Sequence, residues 1–121
     1  MSTKNRLLAN RYEIEKIAGR GGTSVVYKAY DLQAERAVRA IKEINKSNRD
    51  VYDMAKLESA LIKELYESDQ SNAFFPNIIH RFETENYFYI VHIWSSLLQL
   101  IQILLKSSIF LPLYHCQGLL V

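Results

Sequence analysis

Cysteine is nearly absent from this 121-residue chain, and the single one, Cys116, leaves no possible disulfide within it. The opening Met1-Ser2-Thr3-Lys4-Asn5-Arg6 runs into no apolar stretch of the kind a secretory leader carries. A reducing, cytoplasmic setting is the expectation. Charge of one sign is also scarce. The 15 Lys and Arg stand against 13 Asp and Glu, for a net +2, and they are interspersed rather than gathered in a basic stripe, so nucleic acid is not an expected partner. Two prolines, four glycines and no repeat or low-complexity linker leave no room for a collagenous or disordered reading. What remains is a composition 49% hydrophobic, 23% charged and 12% aromatic, that of one globular domain whose core needs nearly all of the chain.

Charge disappears locally as well. From Ile93 to Val121 there is one full charge, Lys106, and no acid, while Leu97, Leu98, Leu100, Ile101, Ile103, Leu104 and Leu105 would cover every face of a helix drawn through them. The boundary therefore falls at residues 92 to 94. The expected organisation is an N-terminal extension at 1–10, a folded unit at 11–92 and an apolar tail at 93–121.

Within the folded unit, Tyr12 to Ala18 opens with period-two alternation and Ser24 to Tyr30 is rich in β-branched and aromatic residues. The glycine run between them makes the pair a hairpin. Ala37 to Ile44 reads as a third strand, with Val38, Ala40 and Lys42 on one face. From Val51 to Ser68, Met54, Leu57, Leu61 and Leu65 recur at three and four, predicting a helix capped by Ser47 or Asn48 and ended by Asp69 to Asn72 with Pro76. Ile78 to Phe82 and Tyr87 to Ile93 are two more strands around the polar turn Glu83 to Asn86. The predicted class is α+β, a five-stranded antiparallel sheet with one packed helix.

Two segments carry chemistry. Gly19-Arg20-Gly21-Gly22-Thr23-Ser24 offers small residues in a hairpin, where backbone N–H groups can approach phosphate oxygens. A glycine cluster alone is more often an ordinary turn, and this one is neither a Walker loop nor a dinucleotide fingerprint, since both of those lead from a strand into a helix. Arg39-Ala40-Ile41-Lys42 places a lysine among apolar neighbours, suited to holding a point charge over a phosphate, although strand-edge lysines are common. Loop and lysine in this order, about twenty residues apart, match the protein kinase signature.

Residues 11 to 91 accordingly resemble the N-terminal lobe of the eukaryotic-like Ser/Thr protein kinases, including bacterial members. Phe75-Pro76-Asn77-Ile78-Ile79 looks like the family's segment after the helix, and Tyr87 to Val91 like the strand leading to the hinge. The resemblance implies that Ala18 to Ser24 cover the triphosphate of ATP, Gly19, Gly21, Gly22 and Ser24 most directly. Val26 and Ala40 would pack on the adenine, and Lys42 would contact the α- and β-phosphates. Glu58 would orient Lys42 by ion pairing, Glu64 being the competing candidate, and His92 stands at the gatekeeper position. Departures are Ser24 at the third glycine position and Arg39 where the family prefers an apolar or small residue.

No catalytic-loop aspartate, metal-binding asparagine or Asp-Phe-Gly segment occurs in the sequence. His80-Arg81 is followed by Phe82 rather than aspartate and precedes the hinge strand, so it is not a catalytic loop. The expectation is a truncated kinase half that binds ATP weakly, has no catalytic residue and no metal site of its own, takes Mg²⁺ only as part of an intact parent kinase, and transfers no phosphate alone. The alternatives are a non-catalytic nucleotide-binding or interaction module docking to a partner kinase, with a protein covering the open lobe face and apolar tail, and a tail-anchored protein spanning a membrane with Tyr87 to Leu105. The abrupt loss of charge at residue 93 suggests that the tail arises from a shifted reading frame.

Overall fold

The computed structural model describes residues 6–68 and 78–94. Six strands and a helix follow one another as β1 (Leu7–Leu8), β2 (Tyr12–Arg20), β3 (Ser24–Asp31), β4 (Ala37–Asn45), α1 (Arg49–Ser68), β5 (Ile78–Glu83) and β6 (Tyr87–Ile93). All pair antiparallel in one sheet of order β1-β2-β3-β4-β6-β5, so the chain leaves β4, crosses through α1 to the far edge and returns beside β4. The expected five strands are there and β1 is a sixth. It lies inside what the sequence suggested was an extension, because two residues are too few to show a period.

Strand alternation divides the core between two faces. On the outer face Tyr12, Ile14, Ala29, Ile41, Tyr89 and Val91 cluster with Leu8. Phe82 stacks there between Tyr12 and Tyr89, with ring centroids 5.9 and 4.9 Å away. The inner face is split. α1 covers Ile44, Phe88 and Ile90 with Tyr52 and Ala55, while Val26 and Ala40 form a separate cluster with Ala18 and Trp94.

The helix packs on a different stripe from the one its leucines suggest. Leu57 is 50% exposed and Leu61 37%, whereas Tyr52, Ala55, Glu58 and Ser59 are buried. Both stripes have the same three-and-four spacing, so the period fixes the helix without fixing its rotation. Tyr52 meets Phe88 edge-on at 5.8 Å and donates to Glu83 Oε1 at 2.7 Å. Ser59 becomes buriable by donating its hydroxyl to Ala55 C=O at 2.7 Å. The helix begins two residues earlier than its periodicity, with Asn48 C=O accepting the Tyr52 N–H at 2.9 Å.

Charged groups close the outer face. Asp31, fully buried, accepts from Arg11 Nε at 2.8 Å and Nη2 at 3.0 Å, from Arg39 Nε at 3.2 Å and from the Gln33 N–H at 3.0 Å. Arg39, a departure from the pattern the sequence resembles, is thus a counter-ion to Asp31 on the outer face. Arg6 reaches across the sheet to donate to Glu43 Oε2 at 3.0 Å and Tyr89 Oη at 2.9 Å, and Tyr27 and Tyr89 donate to the same carboxylate at 2.8 and 2.7 Å. Burial, with the hydrogen bond to Glu43, raises the Tyr89 phenol well above its ordinary range.

Candidate functional site

The residues singled out by sequence converge on the inner face and the loop above it. β2 and β3 stay paired up to the tip, Gly19 opposite Val26 and Arg20 opposite Val25, and the Gly21 N–H donates to Ser24 C=O at 2.8 Å. Register breaks between Ile14 and Lys16 and between Ile17 and Gly19 give β2 the extra twist that bulges bring. Gly21 and Gly22 are exposed at the tip with Arg20, Thr23 is half-buried, and Ser24 is buried at the base. The Ser24 hydroxyl has no hydrogen-bond partner among the described residues.

None of these glycines has positive φ, and a methyl group built on Gly22 would meet nothing within 4 Å. The backbone does not need glycine there. The left-handed positions lie elsewhere, at Ala9 and Asn10 (φ 53° and 55°) between β1 and β2, and at Glu35 and Arg36 (φ 56° and 60°) between β3 and β4.

Beneath the loop, Lys42 stands opposite Val26 on β3 and Ile90 on β6, and is 6% exposed. Ala40, two residues away on the same face, stands opposite His92, which is also 6% exposed and pairs on its other side with Ile78. Val26 and Ala40, the two residues the sequence proposed for a flat ring, are fully buried and in one cluster, with Ala18 packed against them. Glu58 is 7% exposed on the helix that packs against β4 and β5, whereas Glu64 is exposed. An acid and a base therefore sit buried on two packed elements at the border between the helix-covered half of the inner face and its Val26–Ala40 half. Buried charges of this kind persist in folds only with compensation.

A cavity of about 500 Å³ also opens beside the loop, but it is lined by Tyr27, Glu43 and Tyr87 as well as by Gly21 and Gly22. Tyr27 and Glu43 alternate with Val26 and Lys42 and so belong to the outer face. Lys42 is not part of that cavity, and the candidate site is better located by the buried lysine than by this space. Sequence reasoning missed Trp94, a fourth member of the Val26–Ala40 cluster, because it was assigned to the tail. Alternation along β6, through Phe88, Ile90 and His92, was the signal that could have found it. Residues 95–121, on which the apolar-tail and shifted-frame expectations rest, lie outside the described residues. Tyr87–Ile93, the start of the suggested membrane span, is a sheet strand, and no helix among the described residues is long and apolar enough to cross a membrane.

No family model and no curated protein matches the chain by sequence. Its fold does have counterparts. A kinase domain of known crystal structure is similar with a TM-score of 0.64 over 77% of this chain, at 17% identity, and the chain spans 27% of that domain's length. The sheet and helix described above are like those of a kinase N-lobe in fold.

Proposed function

We propose that residues 11–92 are the ATP-holding half of a protein kinase cleft, of the Ser/Thr type by resemblance, and that these residues alone transfer no phosphate. The observation that carries this is Lys42, an ammonium placed at 6% exposure in the middle of a sheet. A buried cation on the sheet face that carries Val26 and Ala40 is what holding a phosphate over that face requires. Lys42 would contact the α- and β-phosphates and Glu58, buried on the facing helix, would orient it. The Ser24 hydroxyl, buried without a bond, and the open space at Gly22 suit a phosphate under the loop. Ala18, Val26 and Ala40 suit one face of adenine, with His92 at the gatekeeper position behind it. Among the described residues no cluster of acids, histidines or cysteines is placed to hold a metal ion. Mg²⁺ and the base that positions the acceptor hydroxyl belong, in this reading, to a second lobe, and the setting is cytoplasmic.

Titration with a fluorescent ATP analogue tests the assignment. Weak binding that falls about tenfold or more in Lys42→Ala is expected, from loss of a charge-assisted contact. Binding indifferent to Lys42 would remove that residue from the site. A radiolabel assay with Mg²⁺ should show no phosphate incorporation above a Lys42→Met control. A second reading, a docking module for a partner kinase, is favoured by the exposed Leu57 and Leu61 on the outward side of α1.

A further inference from the structure

We infer that Trp94 occupies the adenine slot of this cleft, so that the chain carries its own aromatic occupant and opens to nucleotide only when that ring leaves. The inference rests on the nucleotide-cleft reading and adds a competitor to it. Strand alternation aims the side chain. Phe88, Ile90 and His92 share the inner face of β6, and Trp94 is the next residue in that series. Its N–H donates to Val38 C=O at 3.4 Å, carrying the β4–β6 pairing one step past Ile93 and holding the residue against the sheet.

The ring then packs against Val26 and Ala40, the same apolar residues that would receive a purine, and Ala18 packs against that pair as well. Nothing else the sequence proposed for adenine contact is left over for a ligand, because Val26 and Ala40 are both fully buried. Lys28 caps the arrangement with its Nζ 5.4 Å from the Trp94 ring centroid, while also pairing with Glu15 at 3.4 Å. An indole and an adenine are both flat fused bicycles, so one slot cannot hold both. Apparent nucleotide affinity is then the intrinsic affinity reduced by the fraction of time the slot is open. Self-occupancy offers a physical reason for weak binding that is independent of a missing second lobe.

Trp94 is the only tryptophan in the chain, so its fluorescence reports this slot alone. In the full 121-residue chain the emission should be blue-shifted and protected from acrylamide, and saturating ATP should shift it to the red and expose it. Trp94→Ala should bind the fluorescent ATP analogue more tightly, about tenfold if the ring fills the slot roughly nine-tenths of the time. Trp94→Phe, a milder change, should fall between, and far-UV circular dichroism checks that each variant folds. Fully solvent-exposed emission in the unliganded chain overturns the inference, as does equal affinity of folded Trp94→Ala and the native chain, and in both cases Lys42-dependent binding leaves the cleft reading standing. A protected Trp94 with no Lys42-dependent binding in any variant overturns the cleft reading itself and reduces the contact to core packing.

Discussion

The two ends of β3 are built on opposite terms. At its last residue, Asp31 holds Arg11, Arg39 and the Gln33 N–H with its carboxylate, and its C=O accepts from the Ala34 and Arg36 N–H groups at 3.0 and 2.9 Å. The turn that follows adopts positive φ at Glu35 and Arg36, where glycine would be easier, yet contains none. At the first residue, Ser24, the preceding loop contains glycines that its φ angles do not require, and a buried hydroxyl without a partner. One end satisfies its groups internally and tolerates strain. The other leaves space and an unmet bond among the described residues, which the proposed phosphate contact would use.

The largest expected effect comes from breaking the satisfied end. Asp31→Ala would leave two guanidinium groups part-buried over a vacated carboxylate, and should cost about 3 kcal/mol of stability by urea denaturation. Nucleotide affinity of the folded fraction should not change. If it falls as steeply as in Lys42→Ala, the two ends are not separable. Acid should act on the same region. Hydrogen bonding to Arg11 holds the Asp31 carboxyl below its ordinary 3.8, so the stability it contributes is complete above that pH and is lost as pH falls toward its lowered folded value. Burial, with Arg11 nearby, lowers His80 from 6.5, and its ring is 2.7 Å from the Tyr12 hydroxyl. That group is neutral in the fold at neutral pH, and protonation of the unfolded chain begins to cost stability as pH drops below 6.5. The urea midpoint should therefore decline in two steps on acidification, and Asp31→Ala should show a smaller lower one, what remains coming from carboxylates such as Glu83, which Lys46 and Tyr52 hold below its ordinary range.

Much of this architecture was legible in the sequence and some was not, for definite reasons. The hairpin, the lysine strand and the last two strands could be seen because period-two alternation there coincides with polar or glycine turns. The helix was visible, but its rotation was not, since Leu57–Leu61 and Tyr52–Ala55–Ser59 have equal claim by spacing and only the partner Phe88 decides. β1 was hidden by its length and by a turn at Ala9-Asn10 without glycine. That Lys42, Val26 and Ala40 share one part of the sheet could be read because loop and strand occur in a fixed order. Asp31, Glu43 and Arg6 were not, because their partners lie up to 83 residues away, as Arg6 and Tyr89 do, and no local pattern encodes such a pairing.

A smaller effect, of opposite sign, is expected at the strained turn. Glu35 is exposed and left-handed, so Glu35→Gly should raise stability by up to about 1 kcal/mol, read as an upward shift of the urea midpoint. A loss instead would mean that the side chain contributes more than its backbone costs, and that the turn is not a place where strain is stored.

The smallest effect on stability is the most informative. Gly22→Ala adds a methyl group to open space at a residue whose φ is not positive, so the fold should lose less than about 0.5 kcal/mol. Whatever selects glycine at this position must then lie outside the chain, and a phosphate lying under the loop would meet the new Cβ where it now meets hydrogen. Affinity for the fluorescent ATP analogue should accordingly fall while the urea midpoint stays put, the reverse of the Asp31→Ala result. Measuring both on one preparation separates the explanations. A stability loss above about 1 kcal/mol would show that the loop requires glycine for its own packing, and unchanged affinity with unchanged stability would show that no ligand passes close to this backbone, which would return the glycines to the status of an ordinary turn.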